Sequence, residues 1–424
     1  MTLALSASSF AARRYCRFTL ALTIASTPLY VLRYRIGPLP TTLLETLILI
    51  TIALYVVAVV QSGSWRLRRT PIEIPTALLM IAAVIAIAVS VDVVGALGQF
   101  RAYFLEPVII FYIAVDLLES ERDFRLVMGA LIAGATVFAI LNLGVWAEML
   151  ARHQRIITTD APEAFDQNPN AAAMFLEPAV ALAGGLALYS SSAKDRRWAI
   201  AALGFLLASM VLTLSRAGLL TLAVLALVTV ITMPQTRAKL VLLGSALVAA
   251  VVISRVPWVS QRLANQFDPT YPDSTFEGRL RIWSDSLHML RDHLTFGAGL
   301  RAYTQVVTPY VTGRFNPQLH PHDVWLAMWS ELGLLGMLAF ATLMAILLWK
   351  GWRGFARTSG FHRAVLWGTS AAFITVLVHG IFDTPYFKND LSLEFWAVAA
   401  LEVAALGLVT RSAREATGEP AIRR

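Results

Sequence analysis

Twelve apolar runs, each long enough or nearly long enough to cross a bilayer, occupy most of this 424-residue chain and leave it few folds to choose from. They lie at roughly 18–33, 41–60, 74–91, 103–118, 124–146, 169–189, 198–214, 217–233, 238–254, 323–349, 362–382 and 391–409. A hydrocarbon core about 30 Å thick is crossed by about 20 helical residues. Inside lipid every backbone polar group must be satisfied internally, so such runs are read as helices. Composition agrees: 15% of residues are charged and the mean hydropathy is +0.64, whereas soluble domains carry about 25% charged residues. The expected fold is an all-α polytopic membrane protein of about 12 transmembrane helices. Helices one to nine fall within 1–254, a hydrophilic loop containing short helices follows at 255–322, helices ten to twelve fall within 323–410, and 411–424 is a tail.

The net charge of +8 would point to nucleic acid in a soluble protein. Here the basic residues sit between apolar runs and no basic block carries interleaved aromatics, so nucleic-acid binding is not expected. An even number of spans puts both termini on one side. If that side is the cytoplasm, 21 of the 35 basic residues fall in short inner loops and tails, among them Arg13, Arg14, Arg17, Arg68, Arg69, Lys350, Arg353, Arg357 and Arg411. Seven of the other 14 (Arg255, Arg262, Arg279, Arg281, Arg291, Arg301 and Arg314) share the long loop. Long loops count little toward orientation, so the distribution favours cytoplasmic termini and a periplasmic 255–322 loop in a bacterial inner membrane. The single cysteine, Cys16, can form neither an internal disulfide nor a cysteine-based metal site. Pro28 interrupts the small-residue stretch where a signal peptide would be cleaved, which favours an uncleaved first helix.

Within the long loop, Asp268-Pro269 and Tyr271-Pro272-Asp273 signal turns, and Ser274-x-x-Glu277 has the form of a capping box. Leu280, Trp283, Leu287 and Leu290 follow at helical spacing. Such a helix either lies on the membrane surface or covers the ends of the bundle. Phe-Leu-Glu-Pro occurs twice, at 104–107 and 175–178. Coincidence is the simpler account than duplication, but acids placed in the membrane are functional candidates, so Glu106 and Glu177 are noted.

The chain has no Gly-x-x-x-x-Gly-Lys-Ser/Thr phosphate loop, no His-Glu-x-x-His, no Gly-x-Ser-x-Gly and no Asp-x-Asp pair. What remains is a set of arginines and histidines at the outer ends of spans. Arg216 occupies Leu214-Ser215-Arg216-Ala217-Gly218, a turn so short that it folds two apolar spans back to back. It either snorkels to the headgroups or faces a ligand. Arg279 and Arg281 occupy Gly278-Arg279-Leu280-Arg281-Ile282-Trp283, and His320 and His322 occupy Leu319-His320-Pro321-His322-Asp323. A His-x-His pair without a third ligand makes no zinc site, and no metal or cofactor is expected.

In this order these residues resemble the O-antigen ligase and polymerase superfamily of multi-pass glycan transferases. Ser-Arg-Ala-Gly around Arg216 is similar to that family's short arginine motif, and Gly-Arg-x-x-x-Trp at 278–283 to the motif of its second arginine, here Arg279. The ligase signature is a histidine, an Asn, Ser or Gln, nine residues, then Gly-x-x-Gly. His322, Asp323, nine residues to Leu332 and Gly333-Leu334-Leu335-Gly336 match it, with Asp323 departing from the usual amide or hydroxyl. Asn168-Pro169-Asn170 and His379-Gly-Ile-Phe-Asp383 also look like the family, so the resemblance covers roughly 165–395.

The resemblance implies a membrane glycosyltransferase of GT-C-like fold. It would move a glycan from undecaprenyl diphosphate to an acceptor hydroxyl, on lipid A core or another glycan, outside the inner membrane. Arg216 and Arg279 would hold the diphosphate and His322 would act as base, with Arg281, Arg301, His320, His379, Asp383 and Asn170 as further substrate-site candidates. The chemistry fits independently: planar guanidinium forks bind phosphate oxygens bidentately, and a histidine of ordinary pKa takes a proton from a hydroxyl. Nearby arginines would favour the neutral ring, and either Asp323 or Asp383 would oppose that effect or orient the ring. An O-antigen or exopolysaccharide polymerase remains the alternative within the family, and a secondary transporter the alternative outside it.

Overall fold

The computed structural model describes residues 2–37, 39–63, 68–154, 161, 163–165, 168–233, 235–236, 239, 244, 251, 254–264, 276–312 and 318–417. It is an all-α membrane architecture whose sheet, among the described residues, is one short hairpin. In chain order the elements are α1 (Thr2–Ala25), β1 (Arg33–Ile36), β2 (Leu39–Thr42), α2 (Leu43–Ser62), α3 (Glu73–Val89), α4 (Val93–Phe100), α5 (Glu106–Leu117), α6 (Glu121–Ala151), α7 (Pro169–Tyr189), α8 (Ala193–Leu212) and α9 (Arg216–Thr232). They continue as α10 (Pro257–Ala264), α11 (Phe276–Asp292), α12 (Tyr303–Val307), α13 (Val324–Arg357), α14 (Gly360–His379) and α15 (Asn389–Thr417).

Eleven of the twelve apolar runs coincide with helices, and the run at 238–254 lies almost entirely outside the described residues. By length and composition, α2, α6, α7, α13, α14 and α15 are long and apolar enough to cross a membrane, while α3 and α9 are apolar but shorter. The expected number of about 12 spans is therefore matched by six helices on that criterion. The 255–322 segment carries α10, α11 and α12, and the turn signals and Ser274 of the expected capping box lie outside the described residues.

Local chemistry explains several helix starts. Thr42 and Ser120 form capping boxes with Glu45 and Asp123, each satisfying two orphan N–H groups. The β1–β2 hairpin, which pairs Arg33 with Thr42 through Ile36 with Leu39, delivers the chain into the first of these caps. Helix α1 begins well before the expected span and carries Arg13 and Arg17 inside it. They are tolerated because Arg13 pairs with Asp116 at 3.0 Å, and Arg17 with Glu119 at 2.8 Å and Asp123 at 3.1 Å.

The most enclosed of the spans is α7, packed most extensively against α14. Small residues allow that approach: a Cβ on Gly185 would lie 2.3 Å from the Ala364 carbonyl oxygen and 3.0 Å from the Gly368 nitrogen. Backbone cannot step aside as a flexible side chain can. Gly185→Ala should therefore destabilise the protein by about 1–3 kcal/mol, read as a lower melting temperature in detergent. Gly129→Ala on α6, which meets nothing within 4 Å, is the matched control and should melt like the wild type.

Helix α13 departs from the sequence expectation of one continuous span. Gly333 sits at φ 71°, ψ −178° and breaks it. The amide of Leu334 donates to the Thr295 carbonyl at 3.0 Å, and a Cβ on Gly333 would lie 2.4 Å from that same oxygen. Gly333 thus admits a loop backbone rather than a neighbouring helix, in a conformation that favours glycine. Gly336 faces the Leu332 side chain of its own helix. At the end of the bundle where α7, α9, α13 and α15 begin, α14 ends, and the candidate residues gather there.

Candidate active site

Each motif first builds a helix end. Asn168 caps α7, its side-chain oxygen accepting from the amides of Asn170 at 3.0 Å and Ala171 at 3.3 Å. Pro169 takes the first helical position, where no N–H is needed. Ser215 caps α9 by accepting from the Gly218 amide at 3.2 Å, and its hydroxyl donates to Asn170 Oδ1 at 2.7 Å. Arg216 then opens α9, a position where a cation opposes the helix dipole. Asp323 caps α13, its Oδ1 accepting from the Leu326 amide at 2.8 Å. This accounts for the departure from the ligase signature: Asp, Asn and Ser all serve as helix caps, so the acid preserves the local hydrogen bonding. Burial pushes the Asp323 carboxyl up, and its hydrogen bonds from the Leu326 and Trp325 amides pull it back.

Between these helix ends lies Asp383. The Val324 amide donates to the Gly380 carbonyl at 2.7 Å, tying the start of α13 to the end of α14. This brings His322 Nδ1 to 3.1 Å from Asp383 Oδ1. Asn170 Nδ2 donates to Asp383 Oδ2 at 3.0 Å, and the Thr384 amide to Oδ1 at 3.0 Å. Arg279 Nη2 stands 3.9 Å from Oδ2. Three motifs far apart in sequence thus converge on one carboxylate that is 5% exposed. Trp283, last residue of the Gly-Arg-x-x-x-Trp motif, donates a long hydrogen bond to the His322 carbonyl at 3.5 Å. His322 itself holds φ 52°, a left-handed conformation unusual for a residue with a Cβ and retained only where its surroundings enforce it.

Electrostatics favour the charged acid. Burial opposes ionisation of Asp383, but the His322 hydrogen bond, the Arg279 charge and the positive charge that His322 and His379 carry when protonated outweigh it and hold the carboxyl below the usual carboxylate range. Burial lowers the Arg279 pKa and Asp383 raises it, but a guanidinium stays charged at any physiological pH. Among the described residues, Arg279 Nη1 is buried without a hydrogen-bond partner. An orphaned donor of this kind costs about 1–3 kcal/mol, which an anionic ligand would offset.

His379 lies behind Asp383, fully enclosed, with Nδ1 2.6 Å from Glu177 Oε1. His320 stacks on Phe387 with ring centroids 5.9 Å apart, and burial together with the His322 charge lowers its pKa to about 4. It is therefore neutral near pH 7, and its 3.8 Å approach to Glu331 is not a pair of full charges. Arg281 pairs with Glu277 one turn back on α11. Arg301 pairs with Asp92 at 3.2 Å, while its amide donates to Glu331. Arg281 and Arg301 thus engage other carboxylates than Asp383. Glu106 belongs to a separate cluster with Arg101 and Glu45, so the two Phe-Leu-Glu-Pro segments occupy unlike surroundings. Sequence reasoning gave no site role to Ser215 or Trp283: Ser215 was marked only by adjacency to Arg216, and Trp283 was read with the apolar residues at helical spacing. Among the described residues no three His, Cys, Asp or Glu side chains converge as a metal site.

A family model described as O-antigen ligase matches residues 201–341, a stretch that holds Ser215, Arg216, Arg279, His322 and Gly333. Comparison with curated proteins gave no match. Members of that family are membrane glycosyltransferase-like enzymes, ligases or polymerases, and the match supports glycosyl transfer of that type at the level of the family. The match at residues 201–341 bears out the resemblance to the O-antigen ligase superfamily drawn from the motifs.

Proposed function

We propose that this protein transfers a glycan from undecaprenyl diphosphate to an acceptor hydroxyl on lipid A core, at the periplasmic face of the inner membrane. The observation that carries this reading is the convergence of Asn170, Arg279 and His322 on Asp383, with the Ser215–Arg216 turn tied to Asn170. With its Nδ1 proton donated to Asp383, His322 presents Nε2 as the proton acceptor. The acceptor oxygen, losing its proton to Nε2, attacks the anomeric carbon of the donor sugar. The bond from that carbon to the phosphate oxygen breaks, and undecaprenyl diphosphate leaves with the electron pair. Negative charge grows on the leaving oxygens, and Arg216 and Arg279 neutralise it. Fixed donors aimed at developing charge lower such barriers by about 3 kcal/mol each. A polymerase would use the same machinery with a second lipid-linked glycan as acceptor. The His322 to Gly336 signature favours the ligase.

Lysine should not replace either arginine. Arg216→Lys and Arg279→Lys keep the charge but lose the planar fork, and each is expected to lower the transfer rate at least tenfold at equal expression. Wild-type turnover in both variants would remove these residues from the site. Orientation has its own test: a cysteine at Ser274 in a Cys16→Ser background should label with an impermeant thiol reagent in cells with a permeabilised outer membrane, and one at Ser359 should not. The opposite pattern would invert the topology.

A further inference from the structure

At the other end of α13 from His322, about 45 Å along the helix, a cavity of about 550 Å³ opens between α13, α15 and the segment leading into α3. Six basic side chains line it (Arg68, Arg69, Lys350, Arg353, Arg357 and Arg411) and no acidic one does. Its remaining wall is apolar, with Trp349, Val403, Leu406 and Leu408. Some other cations at this end are paired instead. Arg13 and Arg17 are neutralised by Asp116, Glu119 and Asp123, and Arg125 by Glu121 and Asp195. Of the cavity's own six, Arg68 pairs with Glu119 at 2.7 Å. Among the described side chains Arg69, Lys350, Arg353 and Arg357 have no ion pair with a carboxylate, and Lys350 and Arg353 lie against the Trp349 ring, at 5.6 and 4.9 Å.

Orientation bias alone would place arginines at this end, but it needs no cavity and no absence of acids. Compensation of a helix dipole accounts for Arg357 in the last turn of α13, not for Lys350 and Arg353 further inside the helix. Six cations around one volume, four of them without an ion pair among the described side chains, repel each other and favour an anion. A volume this large with an apolar wall suits a phosphate attached to acyl chains better than a bare phosphate. The cations lie where a bilayer spanned by α13 has its headgroups.

We infer that this cavity binds the phosphate headgroup of an anionic phospholipid, with the acyl chains against the Trp349, Val403, Leu406 and Leu408 wall. The test is native mass spectrometry of the full chain in detergent with added cardiolipin or phosphatidylcholine. Inorganic pyrophosphate serves as the soluble phosphate probe. Wild type should retain cardiolipin at least tenfold better than phosphatidylcholine. The triple variant Arg353→Gln, Arg357→Gln, Arg411→Gln should lose most of that preference. All three residues are exposed, so the fold should survive. The control triple Arg122→Gln, Arg196→Gln, Arg197→Gln, also exposed and outside the cavity, should keep the preference. Equal cardiolipin retention by the wild type and the cavity variant would overturn the inference. So would pyrophosphate binding at the cavity without any preference for the anionic lipid.

Discussion

Asp383→Asn is expected to lower the rate of glycan transfer by about three orders of magnitude, within the range that a positioned base and its orienting acid supply. The substitution preserves shape and removes one charge, yet it has no favourable orientation. Oδ1 of Asp383 accepts from His322 and the Thr384 amide, and Oδ2 accepts from Asn170 and faces Arg279. An amide nitrogen on either side would point a donor at donors. His322 would lose the partner that fixes its tautomer and ring orientation, and Arg279 the only carboxylate it approaches among the described residues. A merely structural role would appear as a lower melting temperature with turnover of the folded fraction unchanged. The account predicts the reverse: a modest change in stability and a severe loss of turnover in folded protein.

His322→Ala should cost about two or more orders of magnitude in transfer rate while leaving donor binding intact, because general-base catalysis contributes on that scale and the arginines supply the binding. His320→Ala should be milder, since His320 packs on Phe387 and is already neutral near pH 7. Separate measurement of donor affinity and of single-turnover rate distinguishes the roles. If His322→Ala abolished donor binding while bound donor still turned over at the wild-type rate, the histidine would be a phosphate ligand instead. The base would then be sought among Glu106, Glu177 and Asp383. Of these, Glu106 is engaged with Arg101 and Glu177 is enclosed with His379, which leaves Asp383 the best placed.

Much of this site was legible as separate motifs, and little of its assembly was. Asn170 and Asp383 are 213 residues apart, and no local pattern announces that Asn170 Nδ2 reaches Asp383 Oδ2. The sequence left open whether Asp323 or Asp383 attends His322, because one adjoins it in the chain and the other lies in a separate motif 61 residues away. Geometry separates them: Asp323 is spent on the first turn of α13, and Asp383 meets the ring. Arg279 and Arg281 were likewise interchangeable on paper. Two residues apart on a helix they diverge by more than half a turn, so Arg279 turns to Asp383 and Arg281 to Glu277.

The helices were legible from apolar length alone, but their breaks were not. Glycine is common in membrane helices, so nothing marked Gly333 as the point where α13 breaks to admit the Thr295 carbonyl. The hairpin at Arg33–Thr42 was hidden by its Gly and Pro residues, which read as loop. Arg13 and Arg17 lie inside α1 because carboxylates from α5, α6 and the turn between them neutralise them, a long-range compensation that hydropathy does not see.

The central claim is that the Asp383-centred cluster transfers a glycan from a lipid diphosphate, and reconstitution tests it most directly. The purified full chain in lipid nanodiscs would receive undecaprenyl-diphosphate-linked glycan and lipid A core, with EDTA in excess, and both products would be followed. The account predicts glycosylated lipid A core and free undecaprenyl diphosphate in equal amounts from the wild type, and at most about one per cent of that rate from Asp383→Asn. Equal rates from the two proteins, or no transfer by the wild type to lipid A core or to a second lipid-linked glycan, would contradict it.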